Sequence, residues 1–309
     1  MKQVFLLIFS GLFLTALLGC MSSSNVNPPA RPILVSRQWH FGEIRWLSTT
    51  QLIAEAREGR WAGLYSIRGG RLVIVDKVAQ AVHPLGRQAI EGRHPSPLGE
   101  ASQVAYLKNL SDAKEEYRLL VVYDDEQRRE RIIATGLFSS VDWLSRNTMI
   151  VVGRPSGDTQ EGIWVVRMKD NNLIWDFVLS PRCYGIPHIR ANRIGSKVLI
   201  DCLMDDKVMR RIGILDIDSS SIAWFPRRGY MYPVWTPSGY IMAQFGSSGL
   251  VLISHDVSEF TAKVVWQLPD SPEMYLQHFD VNQDTGDIAV SIEYRGSVDL
   301  YEIVLNSSN

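Results

Sequence analysis

Short runs of Val, Ile, Leu, Tyr and Trp, separated by turn residues, fill the chain from about residue 30 onward. The clearest unit begins at Tyr232 and reads YPVWTPSGYIMAQFGSSGLVLISHDV, with a Trp-Thr-Pro-Ser-Gly turn between two apolar runs. Runs of this length between Gly, Pro, Ser and Asn clusters are typical of β-strands. The pattern predicts four strands in this unit, at about 231–235, 240–245, 249–254 and 262–267.

The unit repeats along the chain. WLSTTQLIAEA, beginning at Trp46, resembles WLSRNTMIVVG, beginning at Trp143, and Trp235 follows at the same interval, about twice a period of roughly 46 residues. The corresponding positions of the other units are His94, Ile189 and Val281, and we call the six positions the repeat anchors. The repeat therefore divides the chain into six units of similar length.

Four short antiparallel strands at this period are typical of one blade of a β-propeller. We therefore expect an all-β fold, a six-bladed β-propeller with four-stranded antiparallel blades. A large aromatic at a fixed position fills the wedge between neighbouring sheets. Trp46, Trp143 and Trp235 are accordingly predicted to pack blade against blade rather than to bind a ligand.

The sixth unit lacks a strand, because its third strand reaches about residue 305 and only four residues remain. An unpaired sheet edge would then be exposed. The segment RPILVSR, beginning at Arg31, precedes the first unit and has the pattern of a short strand. We expect Pro32–Arg37 to be the outermost strand of blade six, so that the ring is closed by an N-terminal strand and the propeller spans residues 32–305.

Composition indicates one globular body, with 46% hydrophobic residues and a net charge of −1. Arg128, Arg129 and Arg131 alternate with acidic residues, as in a solvated hairpin tip, so no nucleic-acid partner is expected.

The first twenty residues, MKQVFLLIFSGLFLTALLGC, have a different character. One Lys precedes an apolar run that is short for a membrane span and typical of a secretory signal. Leu17-Leu18-Gly19-Cys20 resembles the lipobox of bacterial lipoproteins. The resemblance implies a signal peptide at residues 1–19, a diacylglyceryl- and fatty-acyl-modified Cys20, and a flexible tether over residues 20–31. An ordinary signal peptide with an incidental Cys is the alternative.

Met21 stands where such lipoproteins carry Asp when they are retained in the inner membrane. By analogy the protein is expected at the outer membrane, lipid-anchored and facing the periplasm.

The motif Pro-x-Trp-Thr-Pro-Ser-Gly-x-Ile, at Pro233–Ile241, resembles the repeat of TolB-like six-bladed propellers. The resemblance covers about residues 33–305 and is close in one blade only. It implies the fold, and it implies a function in binding protein partners in the periplasm.

Export would place Cys183 and Cys202 in an oxidising compartment, where disulfides persist. A hairpin turning at Asn192–Gly195, with Ala191 opposite Ser196, puts them on one face but displaced by one pair. That diagonal exceeds comfortable disulfide geometry unless a bulge closes it. A Cys183–Cys202 bridge and two free thiols both remain open.

The sequence contains no Gly-x-Ser-x-Gly, His-Glu-x-x-His, Cys-x-x-Cys or phosphate-loop motif. His94, His188 and His278 fall on or next to the predicted innermost strands, where three imidazoles could hold a divalent metal. Some TolB-like propellers are metal-dependent lyases of acidic sugars with such a site. Against a metal, the three histidines are expected at unmatched heights, without a clear fourth ligand. The same strands carry a mixed polar lining of Glu43, Arg45, Glu91, Arg93, Asp142 and Arg190.

The sequence thus favours a non-enzymatic, lipid-anchored propeller that docks an envelope protein, without a cofactor. The alternative is a metal-dependent lyase or hydrolase of acidic oligosaccharides that uses the central channel.

Overall fold

The computed structural model describes residues 29–35, 39–58, 70–86, 90–98, 102–110, 117–169, 172–192, 195–204 and 209–303. Every regular element in these ranges is a β-strand, as the alternation of apolar runs and turns predicts. No helix in this part of the chain is long and apolar enough to cross a membrane. The predicted signal peptide, Cys20 and most of the tether lie outside the described residues.

The strands pair antiparallel in five sheets. The first sheet contains β2 (Trp39–Trp46), β3 (Gln51–Glu58), β4 (Arg71–Asp76) and β5 (Ala81–Pro84). A seven-stranded sheet follows, with β6 (Arg93–Pro97), β7 (Gln103–Asn109), β8 (Arg118–Asp124), β9 (Arg129–Ser145), β10 (Thr148–Pro155), β11 (Gly162–Lys169) and β12 (Asn172–Leu179).

Three four-stranded sheets complete the fold. One contains β13 (Gly185–Ala191), β14 (Lys197–Leu203), β15 (Arg210–Asp216) and β16 (Ser221–Arg228). The next contains β17 (Tyr230–Trp235), β18 (Ile241–Phe245), β19 (Gly249–Ile253) and β20 (Ala262–Gln267). The last pairs β21 (Met274–Val281), β22 (Ile288–Tyr294) and β23 (Ser297–Ile303) with β1 (Ala30–Leu34).

The sheets form a closed ring. β2 contacts β6, β6 contacts β9, β9 contacts β13, β13 contacts β17, β17 contacts β21, and β21 returns to β2. Apolar cores fill the wedges between neighbouring sheets, for example the core that joins Ile44 and Leu52 to Ala289 and Leu300. The all-β, antiparallel propeller predicted from the sequence is confirmed.

The seven-stranded sheet has a strand with two roles. The N-terminal half of β9 pairs with β8, up to Gly136, and its C-terminal half pairs with β10 through Ser145. A Cβ on Gly136 would lie 2.4 Å from the carbonyl oxygen of Arg154, so the close approach of the chains requires glycine here. Because β9 pairs with β8 on one side and with β10 on the other, seven strands form one continuous sheet instead of two separate blades. The number of six blades therefore stays a prediction.

The N-terminal strand closes the last sheet. Ala30 pairs with Ile303 and Leu34 with Leu300 in the antiparallel ladder between β1 and β23, and Ile33 is buried in the core beside β2. The observed strand, Ala30–Leu34, begins two residues before the predicted Pro32–Arg37. Residues 36 and 37 lie outside the described part.

Two local predictions have clear outcomes. The four strands expected in the unit around Trp235 agree with β17 to β20 within a residue. The register expected for the hairpin of β13 and β14 was wrong: Ala191 lies opposite Val198, not Ser196. Asn192 donates its backbone N–H to the carbonyl oxygen of Lys197, so the turn lies one residue later in the chain than expected.

Candidate binding site at the channel mouth

Each innermost strand of the ring has an irregularity in the register of its pairing with the next strand. The shifts fall between Phe41 and Ile44, Arg93 and Ser96, Phe138 and Ser140, Gly185 and His188, Met231 and Val234, and Leu276 and His278. Bulges bend a strand and redirect a side chain. In this ring they turn polar side chains toward the central channel, and His94 and Tyr232 have the positive φ angles, 51° and 53°, that accompany this bend.

The side chains at or just after these bulges form a lower layer in the channel, which consists of Glu43, His94, Ser140, His188, Tyr232 and His278. Nδ1 of His94 lies 2.8 Å from Oε2 of Glu43, and Nδ1 of His188 lies 3.8 Å from Oε1 of Glu43. The ring of Tyr232 contacts two of the histidines, with ring centroids 5.6 Å from His188 and 4.7 Å from His278. The structure thus brings the three sequence-predicted histidines together around one carboxylate. The expectation that their heights would be unmatched was wrong.

Two residues further along each strand lies an upper layer, which consists of Arg45, Ser96, Asp142, Arg190, Val234 and Asp280. Nη1 of Arg45 lies 3.7 Å from Oδ1 of Asp142, and Nε of Arg190 lies 3.9 Å from Oδ1 of Asp280. The hydroxyl of Ser96 donates to Asp142. Charges of opposite sign therefore face each other across the channel.

Glu43 is the centre of the network. Besides the two histidines, Nε of Arg45 and Nη1 of Arg190 lie 3.3 Å and 3.4 Å from its Oε1. Burial disfavours its ionised form, but His94, Arg45 and His188 overcome this and hold the pKa of Glu43 well below its usual range. Burial, together with the positive charge of Arg45, lowers the pKa of His188, although Glu43 opposes the shift. Glu43 is therefore an anion between two guanidinium groups.

The mouth of the channel, defined by the ends of the innermost strands and the loops after them, is a cavity of about 480 Å³ with both polar and apolar side chains in its lining. Arg45, Asp142, Arg190 and Asp280 form part of its lining, and Ser48, Thr49, Asn282, Gln283 and Asp284 come from the loops. Asn282 is itself fixed, because its amide donates to the carbonyl oxygen of Ser48 at 3.1 Å. The cavity is thus shaped by loops tied across neighbouring sheets.

The three anchor tryptophans surround this cavity, with their indole N–H groups already bonded. The indole of Trp46 donates to the backbone oxygen of Asp280 at 3.3 Å, Trp143 to Ser96 at 2.9 Å, and Trp235 to Arg190 at 3.2 Å. Each bond reaches the innermost strand before its own. Trp46 and Trp235 thus join neighbouring sheets, as predicted, and Trp143 makes the corresponding bond within the seven-stranded sheet. All three tryptophans also line the mouth.

A divalent metal does not fit the lower layer. Among the described residues no group of three His, Cys, Asp or Glu side chains is placed to hold a metal ion. Two guanidinium groups lie within 3.4 Å of Glu43, the carboxylate nearest the histidines, and their charge would repel a divalent cation. Nε2 of His188 is buried without a hydrogen-bond partner, so this histidine has a ligand atom available, but the carboxylate beside it is already neutralised.

The remaining sequence candidates are placed as follows. Arg128, Arg129 and Arg131 are exposed at the hairpin between β8 and β9. Glu91, expected in the channel lining, is exposed and makes an isolated bridge with Arg71. Sequence reasoning missed Asp280 and Tyr232. Asp280 lies one position before the anchor Val281, as Asp142 lies one before Trp143. Tyr232 lies three positions before Trp235, as Glu43 lies three before Trp46. Comparison of these units would have found both residues.

Cys183 and Cys202 are joined by a disulfide, with Cα atoms 5.7 Å apart. Gly185 pairs with Leu203, and Tyr184 donates its backbone N–H to the carbonyl oxygen of Leu203. Cys183 therefore lies just beyond the end of this ladder, beside Cys202 rather than directly opposite it. The bridge ties the start of β13 to β14, at the end of the sheet away from the mouth.

No family model and no curated protein matches the sequence. Solved structures match the fold at low identity. They include the β-propeller domain of the trilobed protease from Pyrococcus furiosus, with 14% identity, a TM-score of 0.52, and 88% of this chain and 83% of that chain covered. They also include an oligogalacturonate lyase in complex with manganese, with 12% identity, a TM-score of 0.54, and 89% of this chain and 80% of that chain covered.

TolB from Acinetobacter baumannii gives 11% identity and a TM-score of 0.53, covering 75% of this chain and 55% of TolB. At these identities the likeness shows the fold alone. The fold is a β-propeller similar to that of TolB.

Proposed function

We propose that this protein is a non-enzymatic, lipid-anchored propeller that docks a protein partner through the channel mouth, in the bacterial cell envelope. The observation that carries the proposal is the closed charge network below the mouth. Asp142, Asp280 and Glu43 are each engaged by arginine, histidine or backbone groups of the ring itself. A network of this kind fixes a rigid polar floor in which these three carboxylates are already engaged.

We further propose that the ring counts six blades. The seven-stranded sheet then contributes two blades, in which the halves of β9 are the outermost strand of one and the innermost strand of the next. Under this count the three anchor tryptophans stand in alternate blades, as the period of about 46 residues requires.

The lipid anchor at Cys20 and the location at the outer membrane belong to the same proposal. Their support is the Leu17–Cys20 box after a short apolar run. Mass spectrometry of the mature chain from its natural host should find a diacylglyceryl group with fatty-acyl chains on an N-terminal Cys20.

The docking proposal can be tested with two matched substitutions. Asp284→Arg changes an exposed charge at the mouth, and Asp270→Arg changes an exposed charge in the connection between β20 and β21, at the opposite end of the sheet. A partner cross-linked to the wild-type protein in envelope membranes should be retained by Asp270→Arg and lost from Asp284→Arg. Equal retention by both variants would overturn docking at the mouth.

Metal content separates this function from a metal-dependent lyase or hydrolase of acidic oligosaccharides. Stoichiometric manganese, zinc or calcium in the folded protein, lost on substitution of His188, would overturn the non-enzymatic proposal.

A further inference from the structure

The chain enters the ring at the same end as the channel mouth. Ala30, the first residue of β1, pairs with Ile303, Ile303 pairs with Ile288, and Ile288 pairs with Val281, which lines the mouth. All four residues therefore lie at the mouth end of their sheet. Neighbouring strands are about 4.8 Å apart, so Ala30 lies about 14 Å outward from Val281 on the same side of the ring.

We infer that the mouth faces the membrane to which Cys20 is anchored, and that the docked partner is held at the same membrane. The inference rests on the proposed lipid anchor. Ala30 is ten positions after Cys20. A flexible tether of this length, as the sequence predicts, spans about 17 Å on average and about 35 Å when fully extended.

The opposite orientation requires the tether to be stretched beyond its average span. To turn the far end of the ring to the membrane, the tether would have to run back along the outer edge of the last sheet. β23 has seven residues, a length of about 23 Å. This exceeds the average reach of the tether before any gap to the lipid is included. The orientation with the mouth toward the membrane needs no such extension.

The mouth side carries exposed charges of both signs. Asp125 and Glu126 lie in the turn between β8 and β9 together with Arg128 and Arg129, and Asp284 lies at the mouth. The sign of the lipid charge therefore does not decide the orientation, which rests on the length of the tether. A tether of this length holds the mouth close to the membrane, where a segment of a membrane-bound or membrane-anchored partner is already positioned.

The sheet of β17 to β20 offers a matched pair of label sites for the test. Ser238 and Ser247 are both exposed, in the turns before and after β18, so that one lies on the mouth side and the other on the far side. Because Cys183 and Cys202 are joined by a disulfide, Ser238→Cys or Ser247→Cys supplies the one free thiol among the described residues of the lipidated protein.

The lipidated full chain, labelled at either site with the same donor dye, is bound to phosphatidylethanolamine–phosphatidylglycerol vesicles with an acceptor dye on the headgroups. Energy transfer should be higher from position 238 than from position 247. Equal transfer, or higher transfer from 247, would overturn the orientation. Flotation with the vesicles provides the separate control: wild-type protein should float and Cys20→Ser should not. Failure of the wild type to float would overturn the anchor itself, and with it the orientation.

Discussion

The carboxylate of Asp280 accepts a hydrogen bond from the backbone N–H of Trp46 at 2.8 Å, which joins the last innermost strand of the ring to the first. Asp142 makes the same bond to the backbone N–H of Ala191, also at 2.8 Å. The two aspartates lie on opposite sides of the channel, and each faces an arginine, Arg190 or Arg45. The upper layer thus has an approximate two-fold arrangement that ties strands far apart in sequence.

Asp280→Ala should lower the free energy of unfolding by about 3 kcal/mol, because it leaves the N–H of Trp46 and the charge of Arg190 buried without this carboxylate. Chemical denaturation of the soluble domain measures the change. Asp270→Ala, at an exposed site, is the control and should leave the midpoint nearly unchanged. Equal midpoints for the two variants would show that the Asp280 bond does not hold the ring closed.

The disulfide should account for a similar share of stability. Cys183 and Cys202 are 19 positions apart, and closing a loop of this length in the unfolded chain stabilises the folded protein by about 3 kcal/mol. Reduction of the wild type, or the double variant Cys183→Ala and Cys202→Ala, should lower the unfolding free energy by about this amount. Alkylation of two thiols in the untreated native protein, detected by mass spectrometry, would contradict the bridge.

The sequence was sufficient for the parts of the fold that repeat. In the unit of Trp235 the motif at Pro233–Ile241 and the turns after it placed all four strands within a residue, because turn residues mark each strand end. It was insufficient where a strand continues without a turn signal. Residues 129–145 are one bent strand, since the tight passage at Gly136 replaces a loop.

For the candidate site, the sequence predicted most of the polar residues that line the channel but not how they are arranged. The polar residues of the innermost strands were evident, but their heights depend on bulges, and a bulge of one residue has no distinctive sequence pattern. This is why His94, His188 and His278 were expected at different levels although they share one layer. The register of β13 and β14 was missed for the same reason, since loop length and bulge position together set it.

Truncation tests the closure of the ring. A soluble chain that begins at residue 30 should be as stable as one that begins at residue 21, because β1 remains. A chain that begins at residue 36 loses the ladder of Ala30–Leu34 on β23 and the buried side chain of Ile33. We expect it to be less stable by several kcal/mol, on the order of 2–3 for Ile33 alone. Equal melting temperatures for all three chains would show that β1 contributes nothing to closure.

The channel histidines should make the fold sensitive to mild acid. Burial, reinforced by the charges of His94, Arg210 and Arg45 and opposed by Glu43, lowers the pKa of His278 to about 4. An unfolded histidine has a pKa of about 6.5. Above that value the residue is neutral in both states and contributes no pH dependence. As the pH falls from 6.5 to about 4, the unfolded chain binds a proton that the folded chain does not, so stability is lost across this window.

For His278 the loss over the whole window amounts to about 3 kcal/mol. Urea midpoints at about pH 7, 6 and 5 should therefore fall with acidification. His278→Gln keeps a polar side chain of similar reach but cannot take up the proton, so its midpoints should fall less steeply than those of the wild type. His188, whose pKa is lowered by the same burial, still titrates in the variant, so some slope should remain. Parallel pH profiles for the wild type and His278→Gln would show that His278 is not held neutral in the channel.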